Sequence, residues 1–92
     1  MITGFRSRPL KRFFYRGDAR GLQASHVRKI RRILARLHAA TDVRDLDSPG
    51  FRLHPLKGDR QGEWAIDVSA AWRITFRFDG QNCYDVHYED YH

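Results

Sequence analysis

Apolar side chains recur every three or four positions through the first part of the chain and alternate with polar ones through the last part, so the pattern predicts helices followed by strands. Leu10, Phe13 and Phe14 share one face of a short helix that Ser7 can cap, with Pro9 in its first turn and Gly17 as its stop. After a loop over residues 17–21, Val27, Ile30, Ile33, Leu34 and Leu37 predict a longer helix over residues 23–40. The period then changes to two. Trp64, Ile66 and Val68 alternate with Ala65 and Asp67; Trp72, Ile74, Phe76 and Phe78 alternate with Arg73, Thr75 and Arg77. Ser69-Ala70-Ala71 makes a tight hairpin between these strands, Asp79-Gly80-Gln81-Asn82 makes the next turn, and Tyr84, Val86 and Tyr88 lead a third strand toward the C-terminus. The expected fold class is α+β, with two N-terminal helices packed on one side of an antiparallel meander of three long strands. Residues 51–53 and 2–5 are expected to add short edge strands.

Length and composition narrow the possibilities. The 92 residues contain no repeat, no low-complexity segment and no linker, so a single domain over residues 1–92 is expected, too small for a buried pocket holding a large cofactor. No cofactor is expected. The one cysteine, Cys83, excludes an intramolecular disulfide framework and reads as a small packing residue in a reducing compartment. No apolar run reaches membrane-spanning length, and Arg6 and Arg8 interrupt the N-terminus before a signal peptide can develop. A cytoplasmic protein without membrane association is the expectation.

Charge adds a partner class. The net charge is +6, but residues 1–40 hold 11 Lys/Arg against one acid, Asp18, while residues 41–92 hold six against ten acids. Nearly all of the excess is arginine, whose planar fork suits phosphate oxygens, so a polyanion is the default partner and nucleic acid the foremost one. On the predicted long helix, Arg28, Lys29, Arg32 and Arg36 lie away from the apolar set and form a solvent-facing basic stripe. No acid interrupts it, which favours binding over simple solvation.

The chemistry concentrates in two places. His54-Pro55-Leu56-Lys57-Gly58-Asp59-Arg60 is a polar segment before the first long strand, and Asp90-Tyr91-His92 ends the third one. In a meander the end of the third strand lies beside the start of the second, which brings Asp90 and His92 toward Arg73, and the His54 segment can fold over the same area. Metal-free RNA cleavage needs a base for the 2′-hydroxyl, cations for the charge on phosphorus and an acid for the leaving 5′-oxygen. Histidine, with an ordinary pKa of about 6.5, serves either proton role. His54 and His92 are the candidate pair, Lys57 and Arg73 the candidate phosphate contacts, Asp90 a group to orient an imidazole, and Tyr91 a stacking or hydrogen-bonding group. Each has a plainer reading: His54 and Lys57 as solvated loop residues, and Arg73 as a polar-face residue paired with Glu89 or Asp90 across strands. The five histidines and the aspartates show no metal-ligand spacing, so no metal site is expected.

Taken together, the segment from His54 to Arg60, Gly62 with Trp64-Ala65-Ile66, Trp72-Arg73-Ile74 and Glu89-Asp90-Tyr91-His92 resemble the HigB toxins, members of the RelE-like superfamily of bacterial toxin–antitoxin modules. The resemblance spans essentially the whole chain. It implies an mRNA endonuclease that enters the decoding A site of translating ribosomes and cuts by 2′-hydroxyl attack. A DNA-binding HigA-like antitoxin would neutralise it and supply its only link to DNA. It also implies a catalytic set of His54, Asp90, Tyr91 and His92, phosphate or transition-state contacts at Lys57 and Arg73, and a basic helix that meets the 16S RNA of the small ribosomal subunit through Arg28, Lys29, Arg32 and Arg36. The rival readings are a non-catalytic basic nucleic-acid-binding module and an inactive toxin that serves as antitoxin partner and corepressor.

Overall fold

The computed structural model describes residues 1–91; His92 lies outside the described residues. Helix α1 spans Arg8–Arg16 and helix α2 Val27–Ala39. Strands β1 (His54–Pro55), β2 (Trp64–Asp67), β3 (Trp72–Asp79) and β4 (Asn82–Asp90) pair in chain order into one antiparallel four-stranded sheet. The architecture is the α+β arrangement that the hydrophobic pattern predicts. Leu10 and Phe13 from α1 and Ile30, Ile33, Leu34 and Leu37 from α2 share one core with Ile66, Ile74, Phe76, Cys83 and Val86 from the sheet. Each large side chain fully removed from water there contributes roughly 1.5–3 kcal/mol, which fixes which face of the sheet the helices cover.

Local signals set the helix boundaries with two corrections. Pro9 sits in the first turn of α1, and Gly17 closes it at φ 69, a left-handed conformation that costs glycine little. Ser7 occupies the N-cap position, yet its hydroxyl makes no cap. It accepts the Tyr88 N–H at 2.8 Å and meets His87 Nδ1 at 2.7 Å, so a contact with the far end of the chain replaces the local one. The long helix begins at Val27, later than expected, because residues Ala24–His26 form a single 3-10 turn. That turn buries His26, with Nδ1 2.7 Å from the Tyr88 hydroxyl and the rings of Trp72 and Tyr88 beside it. Burial lowers the His26 pKa.

The sheet edges also differ from expectation. Residues 2–5 form isolated parallel bridges to β4, Ile2 with Cys83 and Phe5 with Val86, and no continuous strand. Residues 51–53 are not extended either: Phe51 fills the core and Arg52 turns the chain at φ 53, so the short edge strand starts at His54. On β4 the register shifts opposite Thr75 and Arg77, and Asp85, at φ 53, absorbs the extra residue. This bulge changes the phase of alternation. Cys83, Val86 and Tyr88 are the buried set, where the sequence pattern groups Tyr84 with Val86 and Tyr88. Among the described residues, no helix is long and apolar enough to cross a membrane.

Candidate active site

The face of the sheet turned away from the helices is polar, and cross-strand register arranges it in rows. His54 pairs with Ala65, Ala65 with Thr75, and Thr75 with His87, giving one row across all four strands. In the next row Asp67 pairs with Arg73 and Arg73 with Glu89. Residues on one row project to the same side of the pleat, so strand pairing alone assembles this set.

Arg60 ties the two rows together. Its Nη1 and Nη2 donate to the Glu89 carboxylate at 2.7 and 2.8 Å, its Nε and Nη2 donate to Glu63 at 3.0 and 2.9 Å, and Nη2 also reaches the Thr75 hydroxyl at 3.4 Å. Arg73 adds two bonds to Glu89, at 3.1 and 3.0 Å. Held first by Arg60 and then by Arg73, Glu89 has its pKa lowered to about 2. Arg60 likewise lowers the pKa of the buried Glu63. The turn that delivers Arg60 depends on Gly62, at φ 100, where a Cβ would come within 2.8 Å of the Arg77 guanidinium.

His54 stands at the edge of this network. Its Nδ1 lies 2.7 Å from the Arg52 carbonyl. A carbonyl only accepts, so Nδ1 carries the hydrogen and the neutral ring presents a bare Nε2. Imidazole nitrogens in that state exchange a proton with a substrate oxygen. A shallow depression of about 540 Å³ is lined by Arg52, Leu53, His54, Asp67 and Tyr91, so β1, β2 and the residue after β4 meet there. Tyr91 is held in place from three sides: its N–H donates to the Ala71 carbonyl at 2.9 Å, its hydroxyl to Asp67 at 3.4 Å, and the Arg73 guanidinium lies 4.4 Å from its ring centre.

The remaining residues singled out by sequence fall around this centre. Asp90 pairs with Trp72, and alternation places it on the helix-bearing side, opposite Glu89 and Tyr91. Lys57 is exposed and lines a separate depression of about 450 Å³ with Gln61 and Trp64, which shares no residue with that of His54. His92 lies outside the described residues. The pairing of Arg73 with Glu89, offered by the sequence as the plainer reading, is the observed arrangement. Among the described residues no three of His, Cys, Asp and Glu gather as metal ligands.

The basic stripe on α2 is only partly free. Lys29 Nζ donates to the Gly50 carbonyl at 2.8 Å, and Arg36 Nη2 to the Asp45 carbonyl at 2.9 Å and the Ser48 hydroxyl at 3.0 Å. These two cations pin residues 45–50 to the helix, while Arg28 and Arg32 are exposed beside them. Arg52 and Asp67 belong to the depression without belonging to any motif. Alternation along β2 places Asp67 on the polar face, but the left-handed backbone at Arg52 has no signature in the sequence.

The site sits within a fold shared with known toxins. A toxin structure described as YoeB/ParE, from Agrobacterium tumefaciens, matches with a TM-score of 0.65 over 99% of this chain and 98% of that one, at 20% identity, which is a likeness of fold. Endoribonuclease HigB from Proteus vulgaris is 44% identical over 92 residues, 100% of each chain. The family model for the RelE-like toxin of the type II toxin–antitoxin system HigB matches residues 3–92. With this match across nearly its whole length, the chain belongs to the HigB-like toxins, the RelE-like toxins of type II toxin–antitoxin systems.

Proposed function

We propose that this toxin is an endoribonuclease that cuts mRNA in the A site of translating ribosomes, and that a HigA-like antitoxin restrains it. The observation that carries the reading is the depression that His54 and Tyr91 line together, with the Arg73 guanidinium against the Tyr91 ring. The activity named for the Proteus vulgaris relative, identical at 44% of positions, supports the same chemistry. A base withdraws the proton of a 2′-hydroxyl, the oxygen attacks the adjacent phosphorus, and the P–O5′ bond breaks as an acid protonates the leaving oxygen. The products are a 2′,3′-cyclic phosphate and a 5′-hydroxyl, so no water or metal-bound hydroxide is consumed in the cut. His54 and His92 divide the two proton transfers between them. Lys57 and Arg73 supply positive charge to the phosphorane, and Tyr91 stacks on or bonds to the nucleotide. Asp90, on the other side of the sheet from His54, is assigned to orienting the His92 imidazole. The reaction takes place in the cytoplasm, where the ribosomes are.

Affinity for the ribosome is assigned to the exposed cations of α2. Because Lys29 and Arg36 also hold residues 45–50, Arg28→Glu combined with Arg32→Glu tests RNA contact more cleanly than reversal of all four charges. The pair is expected to weaken association with ribosomes about tenfold or more at low salt, with the difference shrinking as salt rises. The deciding experiment incubates the purified protein with mRNA alone and with mRNA on ribosomes, and maps the ends by primer extension and end-group analysis. Cuts confined to the ribosome-bound message, bearing cyclic phosphate and 5′-hydroxyl ends, are expected. Equal cutting of free mRNA would remove the ribosome from the mechanism, and 5′-phosphate ends would remove the 2′-hydroxyl attack.

A further inference from the structure

The cation best placed to receive a substrate phosphate in the His54 depression is Arg52, and we infer that Arg52 is a phosphate-binding residue of this site, held ready by Asp67. The inference rests on the RNA-cleaving reading and names a contact within it.

Three observations converge on Arg52. The first is position: Arg52 lines the same depression as His54 and Tyr91, and its own carbonyl is the group that fixes the His54 ring. The second is availability. The Arg73 side chain is 14% exposed and bonded to Glu89, and that of Arg60 is 31% exposed and bonded to two carboxylates, whereas that of Arg52 is 80% exposed. Among the described residues its one ion pair is Nε to Asp67 Oδ2 at 3.3 Å, with the guanidinium side open to solvent and the carboxylate side only 16% exposed. A phosphodiester offers the same fork of oxygens and the same single charge, and gains charge as the phosphorane forms, so the exposed guanidinium can turn from Asp67 to an RNA strand lying in the depression. The third is backbone. Arg52 holds φ 53, where a glycine is the least strained occupant, yet the position carries a long cationic side chain.

Asp67 is a positioning residue in this scheme. It holds Arg52 on one carboxylate oxygen and receives the Tyr91 hydroxyl at 3.4 Å on the other. Once Arg52 moves to phosphate, the aspartate keeps the tyrosine in place.

The left-handed backbone supplies a clean test. Arg52→Gly removes the side chain, keeps the carbonyl that His54 needs and relieves the strained φ, so its melting temperature should equal or exceed that of the wild type. Binding is measured on ribosomes carrying mRNA with a 2′-O-methyl group at the cleaved nucleotide, which blocks attack, and cleavage on the unmodified message. Arg52→Gly is expected to weaken binding about tenfold and to lower the log–log salt slope by about 0.7, one single-strand phosphate contact. Cleavage at saturation should change less than the half-saturating concentration. Arg52→Lys, which keeps the charge without the fork, should fall between the two. Wild-type binding and salt slope in both variants would overturn the role of Arg52 while leaving the nuclease reading intact. Weakened binding by a protein that never cleaves would do the reverse. A wild type that binds no ribosome complex would overturn both.

Discussion

Replacing His54 by alanine is expected to lower the rate of mRNA cleavage by about 100- to 10 000-fold, the range that a positioned proton-transfer group contributes, without unfolding the protein. The side chain is half-buried at the sheet edge, and β1 is held by main-chain pairing with β2, so the core loses nothing. Among the described residues, the structural bond at risk is Nδ1–H to the Arg52 carbonyl. His54→Asn separates the structural bond from the proposed proton transfer, because an amide N–H can still donate to that carbonyl but cannot exchange a proton with a substrate oxygen. Both variants should therefore be inactive in single-turnover cleavage on ribosome complexes, and cells expressing either should grow. An asparagine variant within threefold of wild type would assign His54 a purely structural part.

Arg60→Ala is expected to have the largest effect on stability, about 3 kcal/mol, because it removes the guanidinium that bridges Glu63 and Glu89, leaving Glu89 with Arg73 and Glu63 with only the longer contacts to Arg6 and Arg77. Glu63 is buried, and the Glu89 side chain is only 15% exposed. For a chain of this size that loss corresponds to a fall in melting temperature on the order of 15 °C. Arg60→Lys keeps one charge but not the paired forks, and should recover part of it. The same network predicts the response to acid. The folded-state pKa of Glu89 is about 2, below the ordinary glutamate range. Its contribution is thus complete above the unfolded value near 4.3 and is lost as the pH falls toward 2, an amount on the order of 3 kcal/mol. His26 and His87 act earlier. Burial lowers both pKa values, so the unfolded chain takes up their protons first and stability declines as the pH drops below the ordinary histidine range. Urea titrations at pH 7.5, 5.5 and 3.5 should show a modest loss at the second and a steep one at the third. In Arg60→Ala the second step should flatten, and a wild-type-sized step there would place the acid-sensitive contacts elsewhere.

How much of this is readable from the chain depends on the range of each interaction. The helical spacing from Val27 to Leu37, the alternation from Trp72 to Phe78, Pro9 and Gly17 are local signals, and the elements they mark are where expected. Alternation also places Arg73, Glu89 and Tyr91 on one face, so that part of the polar surface is readable from sequence. Three features escape it because they are settled by distant partners. Ser7 bonds to residues of β4, 80 and 81 positions away, instead of capping its own helix. The bulge at Asp85 shifts the phase of β4, and nothing near it in sequence announces the extra residue. The left-handed turn at Arg52, which aims a carbonyl at His54 and a guanidinium at Asp67, sits in a segment that reads as extended.

The bridges between residues 1–7 and β4 bear on how this toxin behaves when nothing restrains it. Main-chain bonds from Thr3, Arg6 and Ser7 to Cys83 and Val86, and from Cys83 and Val86 to Met1 and Gly4, occupy the outer side of β4, and the Ser7 hydroxyl takes the Tyr88 N–H beyond them. The opposite margin of the sheet is only the two-residue β1. Another chain seeking to extend the sheet must first peel off the N-terminal segment, so self-templated strand stacking into aggregates is blocked at both margins. A freed toxin is accordingly expected to persist as dispersed molecules and not to drop out of action by clumping.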